Sequence, residues 1–289
     1  KILKLLLISV LSFLLFACGE EKLEETEKVE QIFYTVMPRQ EYKLNPQSYS
    51  GNERALLTQL FEGLTELKTE GVRLVSVVDI EHSNDYKEWT FTLRDDLKWS
   101  DGEKLGADDL IYTAEILGSP EYDGVRYDPT NLERIVGMKE YHEGKAQDIS
   151  GLKKIDDKTV EVSFTELGQG VYTGGNGLIG SALPEHHLKD IPIKDLEKSE
   201  KVRNKMVTLG AYTIVSGVQG ESLELKANPY HFRGKPKIEK ATVEVVNSNT
   251  IVSALKAGKY DLALRIPTDL YKTYSSLNNL ELLGRQELY

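Results

Sequence analysis

One stretch of the sequence, WTFTLRDDLKWSDGEKLGADDLIYT, constrains the fold more than any other because it predicts three successive elements. Trp89, Phe91 and Leu93 alternate with polar residues, which is the period-two pattern of a strand with one buried face. Asp101-Gly102 predicts a tight turn, since glycine tolerates a positive φ. Residues 107–117 then carry apolar side chains at helical spacing, so the stretch predicts strand, turn and helix.

Two aspartate pairs in this stretch raise the question of acid/base chemistry. Asp95-Asp96 falls where the strand alternation breaks, so a turn accounts for it. Asp108-Asp109 falls in the first turn of the predicted helix, after Gly106 as N-cap, where carboxylates interact favourably with the helix macrodipole. Both pairs therefore predict structural roles, and a hydrolase is the weakest functional alternative.

The remaining patterns predict no enzyme, no cofactor and no metal site. The five histidines lack H-x-x-x-H spacing and a cysteine partner, and His186-His187 are expected to point apart as surface residues. Residues 175–180 fit the G-x-G-x-x-G pattern, but no strand precedes them and Pro184 falls inside the helix that a dinucleotide site requires. A formal net charge of -10, with no basic run longer than Lys153-Lys154, argues against electrostatic binding of nucleic acid phosphates or anionic lipid headgroups.

Other segments predict an α/β fold. IFYTV is typical of a strand, ERALLTQLFEGL predicts a helix closed by Gly63, and KTVEVSF predicts the second arm of a hairpin. Residues 241–264 predict strand, helix and strand, with the helix ending at Gly258. We expect these two strands to form a parallel pair joined by a right-handed crossover.

The first residues predict export and lipid anchoring. Residues 1–18 combine two lysines with an apolar run too short to span about 30 Å of hydrocarbon, which favours a signal peptide. The run ends in LFAC, which resembles the lipobox of bacterial lipoproteins, so Cys18 is the predicted lipidation site; an idle thiol in a discarded segment is the alternative. Residues 19–30 predict an acidic, solvated stalk, with a short amphipathic helix as the alternative.

Several motifs occur together in a fixed order between residues 44 and 261. They are LNP, FEGL, KEWTFTLRDDLKWSDGEKLGADDLIYTAEIL, VTLGAYTI, LKANPYHFRGKPKIEKATVEVV and ALKAGKYDLA. Together they resemble the oligopeptide-binding group of ABC-transporter extracellular solute-binding proteins. The resemblance implies a monomer that captures oligopeptides on the extracytoplasmic face of the membrane, or in the periplasm, and delivers them unaltered to ABC permease subunits.

The resemblance also implies an architecture. It is an α/β, two-lobed, periplasmic-binding-protein-like clamp of the class II type. Lobe I would comprise residues 30–61 and 180–289, and an inserted lobe II would comprise residues 62–179. We expect most or all of the second ligand lobe to be absent, so that the chain is a fragment that binds peptides weakly or not at all by itself.

Candidate ligand residues follow from the same resemblance. Ser50, Gly51 and Asn52 match a segment whose main chain lines the ligand. Tyr122 matches an aromatic residue that flanks the peptide, with Tyr127 as the alternative. Arg265 and Gln286 match positions that face the cleft.

Two alternatives of related function remain open. Families of the same fold bind non-peptide ligands such as a nickel chelate, haem or an oligosaccharide. A sensor of peptide pheromones would share the binding chemistry and differ in its downstream partner.

Overall fold

The computed structural model describes residues 32–38, 65–67, 73–75, 78–122, 129–166, 182–218, 221–263 and 270–282. The strands are β1 (Ile32–Pro38), β2 (Thr65–Leu67), β3 (Arg73–Val75), β4 (Val78–His82), β5 (Glu88–Leu93), β6 (Leu152–Lys154), β7 (Thr159–Ser163), β8 (Tyr212–Val218), β9 (Ser222–Ala227), β10 (Lys240–Val246) and β11 (Leu262–Ala263). The helices are α1 (Ala107–Gly118), α2 (Pro129–Leu132), α3 (Met138–His142), α4 (Glu185–Leu188), α5 (Glu200–Arg203), α6 (Ser248–Lys256) and α7 (Tyr271–Ser275), with a 3₁₀ helix at Ile193–Lys198. Within the described ranges, no helix has the length and apolar character that a membrane crossing requires.

A five-stranded sheet has the order β11-β1-β10-β9-β8. β1 runs parallel to β10 on one side and to β11 on the other, while β9 is antiparallel to both β10 and β8. The expected strand, helix and strand in residues 241–264 are present as β10, α6 and β11. Their expected direct pairing is wrong, because β1 lies between them and forms a seven-residue ladder with β10. Sequence separation alone does not reveal a strand inserted from elsewhere in the chain.

A four-stranded antiparallel sheet has the order β4-β5-β7-β6. The alternation predicted for β5 is confirmed: Trp89, Phe91 and Leu93 are buried, and Phe91 lies opposite Val160 of β7. The predicted hairpin is confirmed as β6 and β7. One face of this sheet therefore supplies the apolar surface on which the following helix packs.

The turn and helix after β5 also form as predicted. Asp95 and Asp96 occupy a turn, and Gly102 has a φ of +97°. Helix α1 begins after Gly106, whose backbone N–H donates to the Asp109 carboxylate at 2.9 Å. Glycine has no side chain with which to cap the helix, so the aspartate three residues later satisfies one of the free N–H groups.

Helix α1 contributes to two apolar cores. Leu110, Ala114 and Leu117 pack in a core with the four-stranded sheet. Ile116, on a different side of the helix, packs with residues of the five-stranded sheet such as Val243. The helix thus joins the two sheets through apolar contacts, each buried side chain contributing about 1.5–3 kcal/mol relative to exposure.

Four of the predicted segments lie outside the described residues. They are the signal peptide 1–18, the acidic stalk 19–30, the helix closed by Gly63 and the glycine-rich segment 175–180. The predicted lobe ranges, 30–61 with 180–289 and 62–179, stay a prediction. The four strands β4 to β7 lie between β1 and the remaining strands of its sheet in sequence order.

Two glycines that flank α3 provide a matched test of the packing. Gly137 (φ +80°) and Gly144 (φ +69°) both have left-handed backbone. A Cβ on Gly137 would lie 2.4 Å from Ser150 Oγ, whereas a Cβ on Gly144 would meet nothing within 4 Å. We expect Gly144→Ala to cost about 1 kcal/mol of unfolding free energy from backbone strain. Gly137→Ala should cost at least about 2 kcal/mol more, because the methyl group is overpacked.

Urea unfolding of both variants and the original protein measures these costs. Equal losses at the two positions would contradict the packing of Ser150 against Gly137.

Candidate ligand-binding surface

The carboxyl ends of the parallel strands in the five-stranded sheet form a candidate binding surface. β1, β10 and β11 end at Pro38, Val246 and Ala263, and Pro38 lies opposite Val246. We call these three strand ends the ligand edge. In open α/β sheets, ligands bind outside the carboxyl ends of parallel strands, where the loops that leave the strands surround a crevice.

Most of the predicted binding residues belong to segments that leave this edge. Arg265 follows β11 by two residues in sequence, and Ser50, Gly51 and Asn52 lie between β1 and β2. These four residues, Gln286, Tyr127 and the lipidation site Cys18 all lie outside the described residues, so their roles stay predictions.

Polar contacts hold together β10, α6 and the segment that leads into β11. Glu244 on β10 accepts hydrogen bonds from Lys259 Nζ at 2.8 Å and from the Tyr260 hydroxyl at 2.6 Å. The bond from Lys259, followed by that from Tyr260, lowers the pKa of the Glu244 carboxyl. Tyr260 also packs with Ile251 and Leu255 of α6. Contacts between residues that precede and follow α6 thus hold the segment that leads into β11.

Tyr122 is the predicted binding residue that the structure describes. It follows α1, and its backbone N–H donates to the Ser119 carbonyl at 3.0 Å. Its half-buried side chain packs against both apolar cores. The tyrosine therefore lies at the boundary between the two cores, and its contact with a ligand stays a prediction.

The buried carboxylate of Asp109 joins residues 89–113, here called the signature stretch, to the segment that begins at residue 182. Asp109 accepts hydrogen bonds from Trp99 Nε1 at 3.1 Å, Gly106 N at 2.9 Å and Glu185 N at 2.9 Å. We call these contacts the Asp109 network. Burial raises the pKa of the Asp109 carboxyl, while the backbone and indole donors oppose that rise.

Thr113 extends the same junction by one helical turn. Its hydroxyl donates to the Asp109 carbonyl at 2.6 Å and accepts from Leu183 N at 2.8 Å. Both polar residues are buried, and both use the returning segment as a partner. No sequence pattern indicated a role for Thr113 beyond its position four residues after Asp109.

A second junction involves the WSDG turn. Ser100 N donates to the Thr208 carbonyl at 2.9 Å, and Thr208 N donates to Ser100 Oγ at 3.0 Å. The buried Asn228 donates through Nδ2 to the Gly210 carbonyl at 2.9 Å. Segments separated by more than a hundred residues therefore meet at this turn, which the strand pattern alone did not indicate.

The aspartate pairs have the structural roles that the sequence predicts. Asp95 pairs with Lys158 at 2.6 Å and Asp108 pairs with Lys154 at 2.7 Å, both at the surface. Asp96 pairs with Arg94, and this hydrogen bond lowers the pKa of the Asp96 carboxyl. In each pair the two carboxylates have different partners. Asp95 and Asp96 lie in a turn, and Asp108 and Asp109 lie in the first turn of α1.

The histidines differ from one another in their surroundings. His186 is exposed, and its Nε2 lies 2.8 Å from Asp101 Oδ2. The surface position expected for His187 is wrong: its side chain is half-buried, and its Nε2 is buried without a hydrogen-bond partner. His187 lies in the short helix α4, directly before the buried Leu188. Across the described ranges, no group of three or more histidine, cysteine or acidic residues could hold a metal ion.

Comparison with known proteins gives a family and a fold. The family model described as bacterial extracellular solute-binding proteins, family 5 Middle, matches residues 68–287. The chain is 37% identical over 215 residues to the oligopeptide-binding protein OppA of Lactococcus lactis subsp. lactis. That match covers 73% of this chain and 36% of the relative's own length.

Solved structures agree with the sequence match. Lactococcal OppA, complexed with an endogenous peptide in the closed conformation, aligns with a TM-score of 0.73 and 30% identity over 85% of this chain and 48% of that chain. AppA from Bacillus subtilis, in complex with a nonapeptide, aligns with a TM-score of 0.71 and 24% identity over 87% of this chain and 47% of that chain; at this identity the likeness shows the fold alone. The predicted fold class, an α/β two-lobed binding protein, is confirmed. The chain spans about half the length of these solved relatives.

Substitution of Asp109 tests whether the buried carboxylate holds the junction. Asp109→Asn replaces an accepting oxygen with an NH₂ group that faces N–H donors, so we expect a loss of about 3 kcal/mol in unfolding free energy. Asp108→Asn is the matched control, because it breaks only an exposed ion pair and should change stability far less. Chemical unfolding measures both, and equal losses would argue against the Asp109 network.

His187 predicts a pH dependence of stability. Burial lowers the pKa of this imidazole below its ordinary value of 6.5 in the folded protein. The unfolded chain therefore takes up the proton first as pH falls, and stability is lost as pH drops from 6.5 through the folded-state pKa. His187→Gln removes this contribution, so the variant should lose less stability than the original protein between pH 7.5 and about 5. A stability difference that stays constant over this pH range would contradict the burial of the ring.

Proposed function

The chain belongs to family 5 of the bacterial extracellular solute-binding proteins, and from this we propose that it captures oligopeptides and delivers them to the permease of an ABC transporter. The family consists of solute-binding transport proteins located outside the cytoplasm, and it is not a family of enzymes. The observation that carries the proposal is the 37% identity, over 73% of the chain, to an oligopeptide-binding protein.

The proposed chemistry of capture is main-chain pairing. A peptide pairs its backbone with exposed protein edges, so its affinity depends little on its side chains. Roomy, wet pockets then accommodate varied residues at small cost, because bridging water replaces direct hydrogen bonds. In support of this, the ligand edge is formed by parallel strands whose following segments include the predicted residues.

The proposed ligand contacts are those that the family resemblance implies. Ser50, Gly51 and Asn52 would present main-chain groups, and Tyr122 would flank the peptide at the boundary of the two cores. Arg265 and Gln286 would face the cleft. Closure would follow from contacts of the peptide with two lobes, since a ligand favours the state in which it makes more contacts.

The proposed location is the extracytoplasmic face of the bacterial cell membrane, where a lipid on Cys18 holds the protein as a monomer, with the periplasm as the alternative. The acidic segment 19–30 would serve as the connection between the lipid and the domain. Lobe I would comprise residues 30–61 and 180–289, and the inserted lobe II residues 62–179.

Identification of the bound ligand tests the proposed function. The protein is expressed from its own gene, purified without denaturation, and its bound small molecules are released with acid and identified by mass spectrometry. A mixture of peptides of varied sequence is the expected result, because main-chain pairing does not select side chains. Recovery of a single nickel chelate, haem or oligosaccharide would overturn the peptide assignment.

A pair of substitutions at one position tests the role of the main chain. Ser50→Pro removes a backbone N–H donor, whereas the matched Ser50→Ala keeps it. Calorimetry with the recovered peptides should give affinity at least about tenfold weaker for the proline variant and nearly unchanged for the alanine variant, since a lost buried hydrogen bond costs about 1–2 kcal/mol. Equal affinities in both variants would show that the backbone N–H of Ser50 does not bind the peptide.

A further inference from the structure

The segment that joins β9 to β10 is strongly basic in an acidic protein. Residues 226–240 contain five lysine or arginine residues and one glutamate, a local net charge of +4, whereas the chain as a whole carries -10. We call its five cations the basic edge: Lys226, Arg233, Lys235, Lys237 and Lys240. All five are exposed.

The pairing of strands brings like charges together at this edge. Lys226 lies directly opposite Lys240 in the antiparallel ladder of β9 and β10, an arrangement that disfavours folding. Close by, Lys98 lies opposite Lys104 in an isolated bridge, and Lys98 Nζ lies 5.4 Å from the centre of the Tyr230 ring. Lys235 Nζ lies 2.8 Å from Glu239 Oε1, the acidic residue of the segment, so the segment as a whole still presents a net charge of +4 to an anionic surface.

The chain that follows the proposed lipid anchor enters the fold at the same edge. Ile32, the first residue of β1, lies beside Lys240 in the parallel ladder of β1 and β10. Only thirteen residues, 19–31, separate Cys18 from Ile32 in sequence. Fully extended, they span at most about 45 Å, so a lipid on Cys18 would hold the start of β1 within about that distance of the membrane.

We propose that the basic edge is a membrane-docking surface that binds anionic phospholipid headgroups, in contrast to what the net charge of the whole chain favours. This inference rests on the proposed lipid anchor at Cys18 and adds to it an orientation for the domain. The anchor supplies attachment, and the cations supply a second, electrostatic contact of the kind that stabilises singly anchored proteins on charged membranes.

The orientation has a consequence for ligand capture. The basic edge lies at the amino ends of β1 and β10, and the ligand edge lies at their carboxyl ends. Seven residues of strand separate the two edges by roughly 20 Å. With the basic edge on the headgroups, the ligand edge faces away from the membrane and is open to peptides in the surrounding medium.

Lysine footprinting on vesicles tests this orientation. The lipid-modified full chain is placed on vesicles of pure phosphatidylcholine or of phosphatidylcholine with 30% phosphatidylglycerol, and acetylation of each lysine is followed by mass spectrometry. On the anionic vesicles at about 50 mM salt we expect Lys235, Lys237 and Lys240 to react at least about threefold more slowly, with the protection lost at about 500 mM salt. The exposed Lys145, in the segment between α3 and β6, should react equally on both vesicles.

Two charge-reversal variants separate docking from general charge effects. Lys226→Glu places opposite charges across β9 and β10, so its melting temperature should be unchanged or higher while the protection of Lys235 and Lys237 falls. Lys139→Glu, on the exposed side of α3, makes the same change in net charge and should leave the protection intact.

The outcomes distinguish this inference from the proposed function. Normal lipidation of Cys18 with equal labelling on both vesicles would overturn the orientation alone. An intact mass without lipid on Cys18 would overturn the orientation together with the anchor, and the peptide assignment would stand on its own ligand analysis. Equal protection by free inorganic phosphate, in the absence of vesicles, would indicate that the basic edge binds phosphate and not a membrane, and would overturn the proposal.

Discussion

The buried carboxylate of Asp109 is the contact on which the rest of the described structure depends. Its two oxygens accept from an indole, from the N-cap of α1 and from the segment that returns at residue 185. A carboxylate is suited to this position because it only accepts, and all three of its neighbours donate. Helix α1, held at its start by this contact, then packs into the cores of both sheets.

The direction of the strands separates the two proposed activities of the domain. β1, β10 and β11 run parallel, so all their carboxyl ends lie at the ligand edge, the side on which open α/β sheets bind their ligands. The amino ends of β1 and β10 carry the basic edge and receive the chain from the proposed anchor. In this proposal the basic edge of the sheet lies against the membrane while the ligand edge, at the opposite ends of the strands, is accessible to a peptide.

Local patterns predicted the elements and failed at contacts between distant segments. The alternation at Trp89 and Phe91 required a half-buried strand, and Gly102 required a turn, because each depends on neighbouring residues only. The direct pairing of β10 with β11 was wrong because β1, some two hundred residues earlier, lies between them. His187 was expected at the surface, yet the packing of α4 buries its ring. For the binding site, the motif order indicated the family, while of the predicted ligand residues the described structure contains Tyr122 alone.

The sequence by itself determined the α/β character, the strand, turn and helix of the signature stretch, and the structural use of both aspartate pairs. These follow from periodicity and backbone preference, which act over a few residues. Only the tertiary structure decided that Asp109 is buried among three donors, that Ser100 meets Thr208, and that Ile32 lies beside Lys240. Such contacts join residues far apart in the chain, and their partners are fixed by how the sheets and α1 pack, which no local pattern encodes.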